Sequence, residues 1–213
     1  MGGEAGSGRR PLKSRSSGWA RWAAAALART AITPNAVSVA SVGFAILGVV
    51  ALWEVPEPAC LLLFALCIQL RLLCNLLDGM LAIEGGKRSS TGVLYNELPD
   101  RIADALFLVA LGYFVRLPAL GWCSAWLAVL TAYIRVLGGA LGLAQGFRGP
   151  MAKPHRMAVL TGAALLGTLE HWVWGSHYTL VASLWVVALG SLFTCVRRTR
   201  AIAGELRTRA SGA

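Results

Sequence analysis

Five oxygen-bearing side chains set in apolar surroundings carry the chemistry of this chain: Asn75 and Asp78, then Asn96, Asp100 and Asp104. Ionisable groups inside such segments are costly, which makes them functional candidates by default. Residues three or four apart share a helix face. Asn75 and Asp78 therefore fall on one face, and Asn96, Asp100 and Asp104 on another. Two such faces turned toward each other make an oxygen-lined pocket suited to a hard divalent cation, Mg²⁺ or Mn²⁺. Asp78 is followed by Gly79, which lets another group approach the backbone closely, and Ala82 keeps the same face small. Small faces also serve helix packing in membranes, but packing alone does not place a carboxylate beside them.

Several of these residues have a second reading. Asn is a favoured helix N-cap and Pro99 is tolerated in a first turn, so Asn96 could serve backbone amides instead. Arg101 could neutralise either Asp100 or Asp104. The polar loop from Glu84 to Gly92 is turn-rich; it offers amide and hydroxyl donors to phosphates or is simply solvated. Arg135, Lys153 and Arg156 could converge on a phosphate, Arg as a fork and Lys as a point charge, or could be charges at helix ends. His155 sits between cations and reads as a polar interface residue. His171, His177 and Glu170 share one loop region, but their number and spacing do not define a metal site.

The elements that position these residues follow from composition. The chain has 213 residues, 56% hydrophobic and 14% charged, with mean hydropathy +0.62. Soluble domains carry roughly 25% charged residues. Apolar runs at about 35–52, 59–83, 94–115, 120–141, 157–174 and 178–196 approach the roughly 20 residues of a spanning helix. The expected fold is all-α and polytopic, with six transmembrane helices. Trp19, Trp22, Leu27 and Ile32 alternate with Arg21 and Arg29, which suggests an interfacial amphipathic helix before the first span, or a simple tether. Residues 1–17 read as a flexible basic tail with no cleavable signal peptide. Residues 18–197 read as the six-helix domain and 198–213 as a second basic tail.

Sixteen of the twenty Lys and Arg fall in segments that six spans place on one side. The positive-inside rule puts both termini there, in the cytoplasm. No basic stripe is interleaved with aromatics, so nucleic acid is not expected as a partner. Cys60, Cys67 and Cys74 recur every seventh residue as small thiols along one helix, with no zinc spacing among the five cysteines.

Asp78-Gly79-x-x-Ala82, eight residues, then Gly92-x-x-x-Asn96-x-x-x-Asp100 resembles the signature of the CDP-alcohol phosphatidyltransferases, D-x-x-D-G-x-x-A-R, eight residues, G-x-x-x-D-x-x-x-D. Thr33-Pro34-Asn35, Tyr133-x-Arg135 and Lys153-Pro154-His155-Arg156 are similar to its other positions. The likeness runs from about Trp19 to Val196. It implies six membrane helices, a polar cavity open to the cytoplasm of a bacterial inner membrane, and a homodimer. It implies transfer of a phosphatidyl group from a CDP-diacylglycerol-type lipid to an alcohol acceptor, with release of CMP. Carried over, Asp78 becomes a metal ligand, Asp100 the general base, and Gly79, Ala82 and Gly92 lie near the nucleotide. Asn75 and Asn96 stand where the signature has Asp, and Ile83 where it has Arg. An Asn oxygen can ligate Mg²⁺ but brings no charge. Weaker metal binding, a single ion, or a site displaced toward Asp104 is therefore expected. A basic cluster of Arg135, Lys153 and Arg156 favours an acceptor that carries phosphate.

Two other classes share some of these features. Asn96-x-x-x-Asp100-x-x-x-Asp104 also resembles the first metal motif of membrane aromatic prenyltransferases, though no second such motif is present. Intramembrane carboxylates also occur in small transporters.

Overall fold

A computed structural model describes residues 18–83, 85–87, 89–143 and 149–211. The expected 1–17 tail lies outside the described residues, as do Glu84 and Arg88. Among the described residues there are seven helices and no strand: α1 (Gly18–Ala28), α2 (Pro34–Glu54), α3 (Ala59–Ile83), α4 (Gly92–Phe114), α5 (Pro118–Ala140), α6 (Lys153–Trp174) and α7 (Tyr178–Ser211).

Local chemistry sets the helix ends. The Thr33 hydroxyl accepts from the Ala36 amide at 3.2 Å, and Pro34 opens α2, where its missing N–H is not needed. Pro118 opens α5 in the same way. Gly175 closes α6 at φ 64°, a left-handed conformation that Gly adopts without penalty. α4 starts at Gly92 with Thr91 in the cap position. Asn96 therefore lies inside the helix, and its reading as the cap is not realised. Pro99 is also interior, and it cannot donate to the carbonyl one turn back.

α2 to α7 close into a ring in the order α2, α3, α6, α7, α5, α4, and back to α2. The centre is apolar along much of its length. Phe64 and Phe107 meet edge-on, with centroids 5.3 Å apart, and both are fully buried with Leu61, Ile68, Leu111 and Leu160. The α4–α5 hairpin needs glycine at its crossing. A Cβ on Gly112 would lie 2.6 Å from the Gly121 Cα, and one on Gly121 would lie 2.8 Å from the Leu108 carbonyl. α1 packs Ala20 and Ala24 on Leu76 and Met80 of α3, leaving Trp19 and Trp22 exposed.

Four helices, α2, α3, α5 and α7, are long and apolar enough to cross a membrane. Six spans were expected. α4 falls short because it carries Glu97, Asp100, Arg101 and Asp104, and α6 because it carries Lys153, Arg156 and Glu170. Both still present large apolar side chains outward, among them Leu98, Ile102, Leu165, Leu166 and Leu169. The segment expected as a C-terminal tail continues α7 as helix through Ser211. Arg198 donates to the Thr131 carbonyl at 2.6 Å and Arg209 to the Gly142 carbonyl at 2.9 Å, so this extension is stapled to α5 and the turn after it.

Candidate active site

α3 and α4 face each other across the ring rather than packing side by side, and polar side chains bridge them. Asn75 donates from Nδ2 to Asp100 Oδ1 at 2.7 Å. This single contact joins the two halves of the spacing pattern. Arg71, one turn before Asn75 on α3, is fully buried and reaches the same place. Its Nη2 donates to Asp104 Oδ1 at 2.7 Å, to Asp100 Oδ1 at 3.2 Å and to the Asp100 carbonyl at 3.1 Å. From α6, Arg156 donates to Asp104 Oδ2 at 2.9 Å, and Lys153 to Asp100 Oδ2 at 2.5 Å.

The three buried acids are therefore held differently. Asp104 is 1% exposed and has a guanidinium on each oxygen. In this arrangement neither oxygen is open to another cation. Asp100 has Asn75 and Arg71 on one oxygen, with Lys153 and, at 3.5 Å, Arg101 on the other. Asp78 is 4% exposed, and among the described residues it has no ion-pair partner. The hydroxyl of Ser38, from α2, donates to it. The same hydroxyl oxygen lies 3.1 Å from the Pro34 carbonyl, sharing its one proton between the two acceptors, so the first turns of α2 hold it against α3. Buried charges in proteins are paired or coordinate metals. Asp78, met by a hydroxyl alone, is the acid whose surroundings call for a cation. The side-chain oxygens of Asn75 and Asn96 are neutral donors on the two facing helices.

The expected phosphate-binding residues separate. Lys153 is partly exposed at the rim. Arg156 is 1% exposed and engaged by Asp104, the Thr131 hydroxyl at 3.2 Å and the Met151 carbonyl at 3.0 Å. Arg135 pairs with Glu97 at 2.5 Å, and Arg101 lies 3.9 Å from the same carboxylate. Gly79 is buried, and Ala82 and Gly92 are half-buried near the same end of the bundle. In the loop between α3 and α4, Lys87 donates to the carbonyls of Thr30 and Ile32 at 2.6 and 3.1 Å, tying that loop to the α1–α2 link. Arg71 and Ser38 were not expected in the site. Arg71 had a signal, since 71, 75 and 78 share one helical stripe and an arginine inside an apolar run is a functional candidate. Ser38 had none, being one small hydroxyl 40 residues away.

No protein-family model matches the chain. The phosphatidylinositol phosphate synthase of Mycolicibacterium smegmatis is 27% identical over 189 residues, 84% of this chain and 81% of that protein. The inner membrane protein YnbA of Escherichia coli is 27% identical over 172 residues, 80% of this chain and 84% of that protein. Among solved structures, the phosphatidylinositol phosphate synthase of Mycobacterium tuberculosis in complex with manganese and citrate superposes with a TM-score of 0.72 at 22% identity, covering 86% of this chain and 88% of that one. The same enzyme with CDP-DAG bound gives a TM-score of 0.70 at 21% identity, covering 86% and 92%. These superpositions establish the shared fold. With its apolar helices and its inner-membrane relative, the chain is an integral membrane protein. The signature spacing, its two halves joined across the ring, and relatives that run nearly end to end agree: the chain belongs to the CDP-alcohol phosphatidyltransferases, membrane enzymes that transfer substituted phosphate groups.

Proposed function

We propose that this protein moves the phosphatidyl group of a CDP-diacylglycerol-type lipid onto a hydroxyl of an alcohol acceptor and releases CMP. The observation that carries the reading is the 2.7 Å contact between Asn75 and Asp100, which sets the two halves of the signature face to face in one buried polar centre. All six long helices, α2 to α7, cross the membrane in this proposal. The inward charges of α4 and α6 lower their hydropathy while their outward faces stay apolar. Both termini and the site lie on the cytoplasmic side of a bacterial inner membrane in this reading, which the basic segments support. The enzyme works as a homodimer, a state that sedimentation in detergent measures.

The chain's residues divide the work as follows. Asp78, with the side-chain oxygens of Asn75 and Asn96, would hold one Mg²⁺ or Mn²⁺. When bound, that ion neutralises charge that develops on the CMP leaving group. Gly79, Ala82 and Gly92 leave room for the nucleotide. Asp100 takes the proton of the acceptor hydroxyl as that oxygen attacks the phosphorus bearing the diacylglycerol. The bond from that phosphorus to the oxygen of CMP breaks. Asp104, Arg71 and Arg156 fix the position of Asp100 from below.

In the resting arrangement Lys153 occupies Asp100 Oδ2. A phosphate on the acceptor offers Lys153 a better-charged partner. The exchange of Lys153 from carboxylate to phosphate frees Oδ2 at the moment the acceptor arrives. Arg101 and Arg135, both tied to Glu97, extend the cationic rim. A phosphorylated polyol, such as an inositol phosphate or glycerol phosphate, fits this rim best.

The test is purified protein with Mg²⁺, CDP-diacylglycerol and a panel of free and phosphorylated alcohols, with CMP release as the readout. The expected result is acceptor-dependent CMP release, fastest with a phosphorylated acceptor and lost in Asp100→Ala. CMP release that needs no acceptor, or that survives Asp100→Ala, overturns the assignment.

A further inference from the structure

The opposite end of the bundle holds a second cluster of ligating side chains. Glu57 lies in the α2–α3 connection, His171 in the last turn of α6, and His177 in the α6–α7 turn. One ligand atom from each lies within 4.8 Å of the other two. Glu57 Oε2 is 2.7 Å from His171 Nδ1 and 2.7 Å from His177 Nε2. His171 lies fifteen residues beyond Arg156 on α6, so this cluster is about 22 Å from the phosphate-handling end.

The grouping is built rather than incidental. Glu170 does not join it. Its carboxylate accepts from the Ser176 hydroxyl and the Tyr178 amide, both at 2.6 Å, and from the Thr179 amide at 2.8 Å. Those bonds, with the left-handed Gly175, fold the turn that returns His177 over His171. The two imidazoles stack at 5.8 Å and 29°, and Phe114 meets His177 edge-on at 5.4 Å. Both rings are thereby oriented with one nitrogen toward Glu57.

Hydrogen bonding alone does not account for the arrangement. His171 Nδ1 is buried and 2.7 Å from the carboxylate, yet among the described residues it makes no hydrogen bond. Two imidazole nitrogens crowd one oxygen, and only His177 is aligned with it. We propose that Glu57, His171 and His177 form a transition-metal site of the zinc class, with a fourth position open to water. Two imidazoles and one carboxylate are a borderline nitrogen and oxygen set, which selects Zn²⁺ and its neighbours over Mg²⁺. Tetrahedral zinc with ordinary bond lengths spaces its ligand atoms about 3.3 Å apart. The contacts here open by about 0.6 Å to admit the ion, a shift that side-chain rotation supplies. Bound metal clasps the α2–α3 connection, the last turn of α6 and the α6–α7 turn together.

The test is calorimetric titration of Zn²⁺ into protein without a polyhistidine tag, in saturating Mg²⁺ so that the Asp78 site is filled. One equivalent of Zn²⁺ should bind, and Glu57→Gln, His171→Ala and His177→Ala should each weaken it by roughly tenfold or more. Co²⁺ should give visible absorption bands that the same variants remove. Thermal melts in chelator check that the variants fold; Glu57→Gln, which preserves shape, keeps the test usable if a histidine variant does not. CMP release should be unchanged in Glu57→Gln, so failure here is separate from failure of the transfer reading. Zn²⁺ binding that is absent, or equal in wild type and all three variants, overturns the proposal.

Discussion

Replacing Asp104 by Asn separates an anchoring role from a metal-binding one. Asp104 sits between Arg71 at 2.7 Å and Arg156 at 2.9 Å, with all three side chains essentially closed to solvent. At an effective dielectric constant near 20, each contact has a gross Coulomb energy of about 6 kcal/mol. Desolvation of the three charges offsets much of this. Removing one partner of such a buried group leaves the rest uncompensated, at a net cost of about 3–5 kcal/mol. For a chain of this length that corresponds to a fall in Tm of roughly 6–20 °C. A thiol-reactive dye in detergent reports the melt, because Cys60, Cys67, Cys74 and Cys195 are buried. The protein that remains folded at low temperature should show the same Mg²⁺ midpoint for CMP release as wild type. Asp78→Asn should do the reverse and raise the Mg²⁺ midpoint or abolish CMP release with a smaller loss of Tm, since among the described residues Asp78 has no ion pair to break. A Tm for Asp104→Asn within about 2 °C of wild type, together with a raised Mg²⁺ midpoint, would refute the anchor assignment.

Lys153→Met should raise the KM for a phosphorylated acceptor about tenfold, or about 1.4 kcal/mol, and should narrow the preference over the unphosphorylated alcohol; acceptor kinetics measure both. Asn75→Asp removes the bond to Asp100 and sets two carboxylates together. It should cost about 1–3 kcal/mol in melts without metal, and Mg²⁺ should restore more of that loss than it adds to wild type. Gly121→Ala should destabilise by about 1–3 kcal/mol through overpacking against the Leu108 carbonyl and Gly112, with little change in the Mg²⁺ midpoint.

Helical spacing alone puts Asn75 with Asp78 on one face and Asp100 with Asp104 on another, and the contact between Asn75 and Asp100 joins the two helices. The state of each acid was not legible in the sequence. The guanidiniums that engage Asp104 come from 33 and 52 residues away in sequence, and no local pattern announces such pairs. The same limit applies at the other end, where sequence proximity groups Glu170 with the histidines. The structure brings Glu57 instead, 120 residues before His177, and uses Glu170 to shape the turn. Hydropathy marks four spans against the six expected for a related reason. An average over a helix cannot tell an inward charge that bonds across the ring from an outward one that meets lipid. The basic residues after position 196 look like a solvated tail in sequence, yet Arg198 and Arg209 find carbonyls on and just after α5 and carry the helix onward.

The charge inventory bears on how many ions the site takes. At its centre, Asp78, Asp100 and Asp104 are matched by Arg71, Lys153 and Arg156, so the inner layer is neutral before any ligand enters. The signature has carboxylates at both positions that are Asn75 and Asn96 here, and four carboxylates balance two divalent ions. In this chain one divalent ion adds two positive charges, and the pyrophosphate of a CDP-lipid adds two negative ones. The complex is then neutral again. A second ion would leave two uncompensated positive charges in a low-dielectric interior, where unpaired charge costs several kcal/mol. A metal-to-protein ratio of one under turnover conditions, measured with Mn²⁺ by paramagnetic resonance, is the expected result. Two strongly bound Mn²⁺ ions under the same conditions would overturn this charge balance.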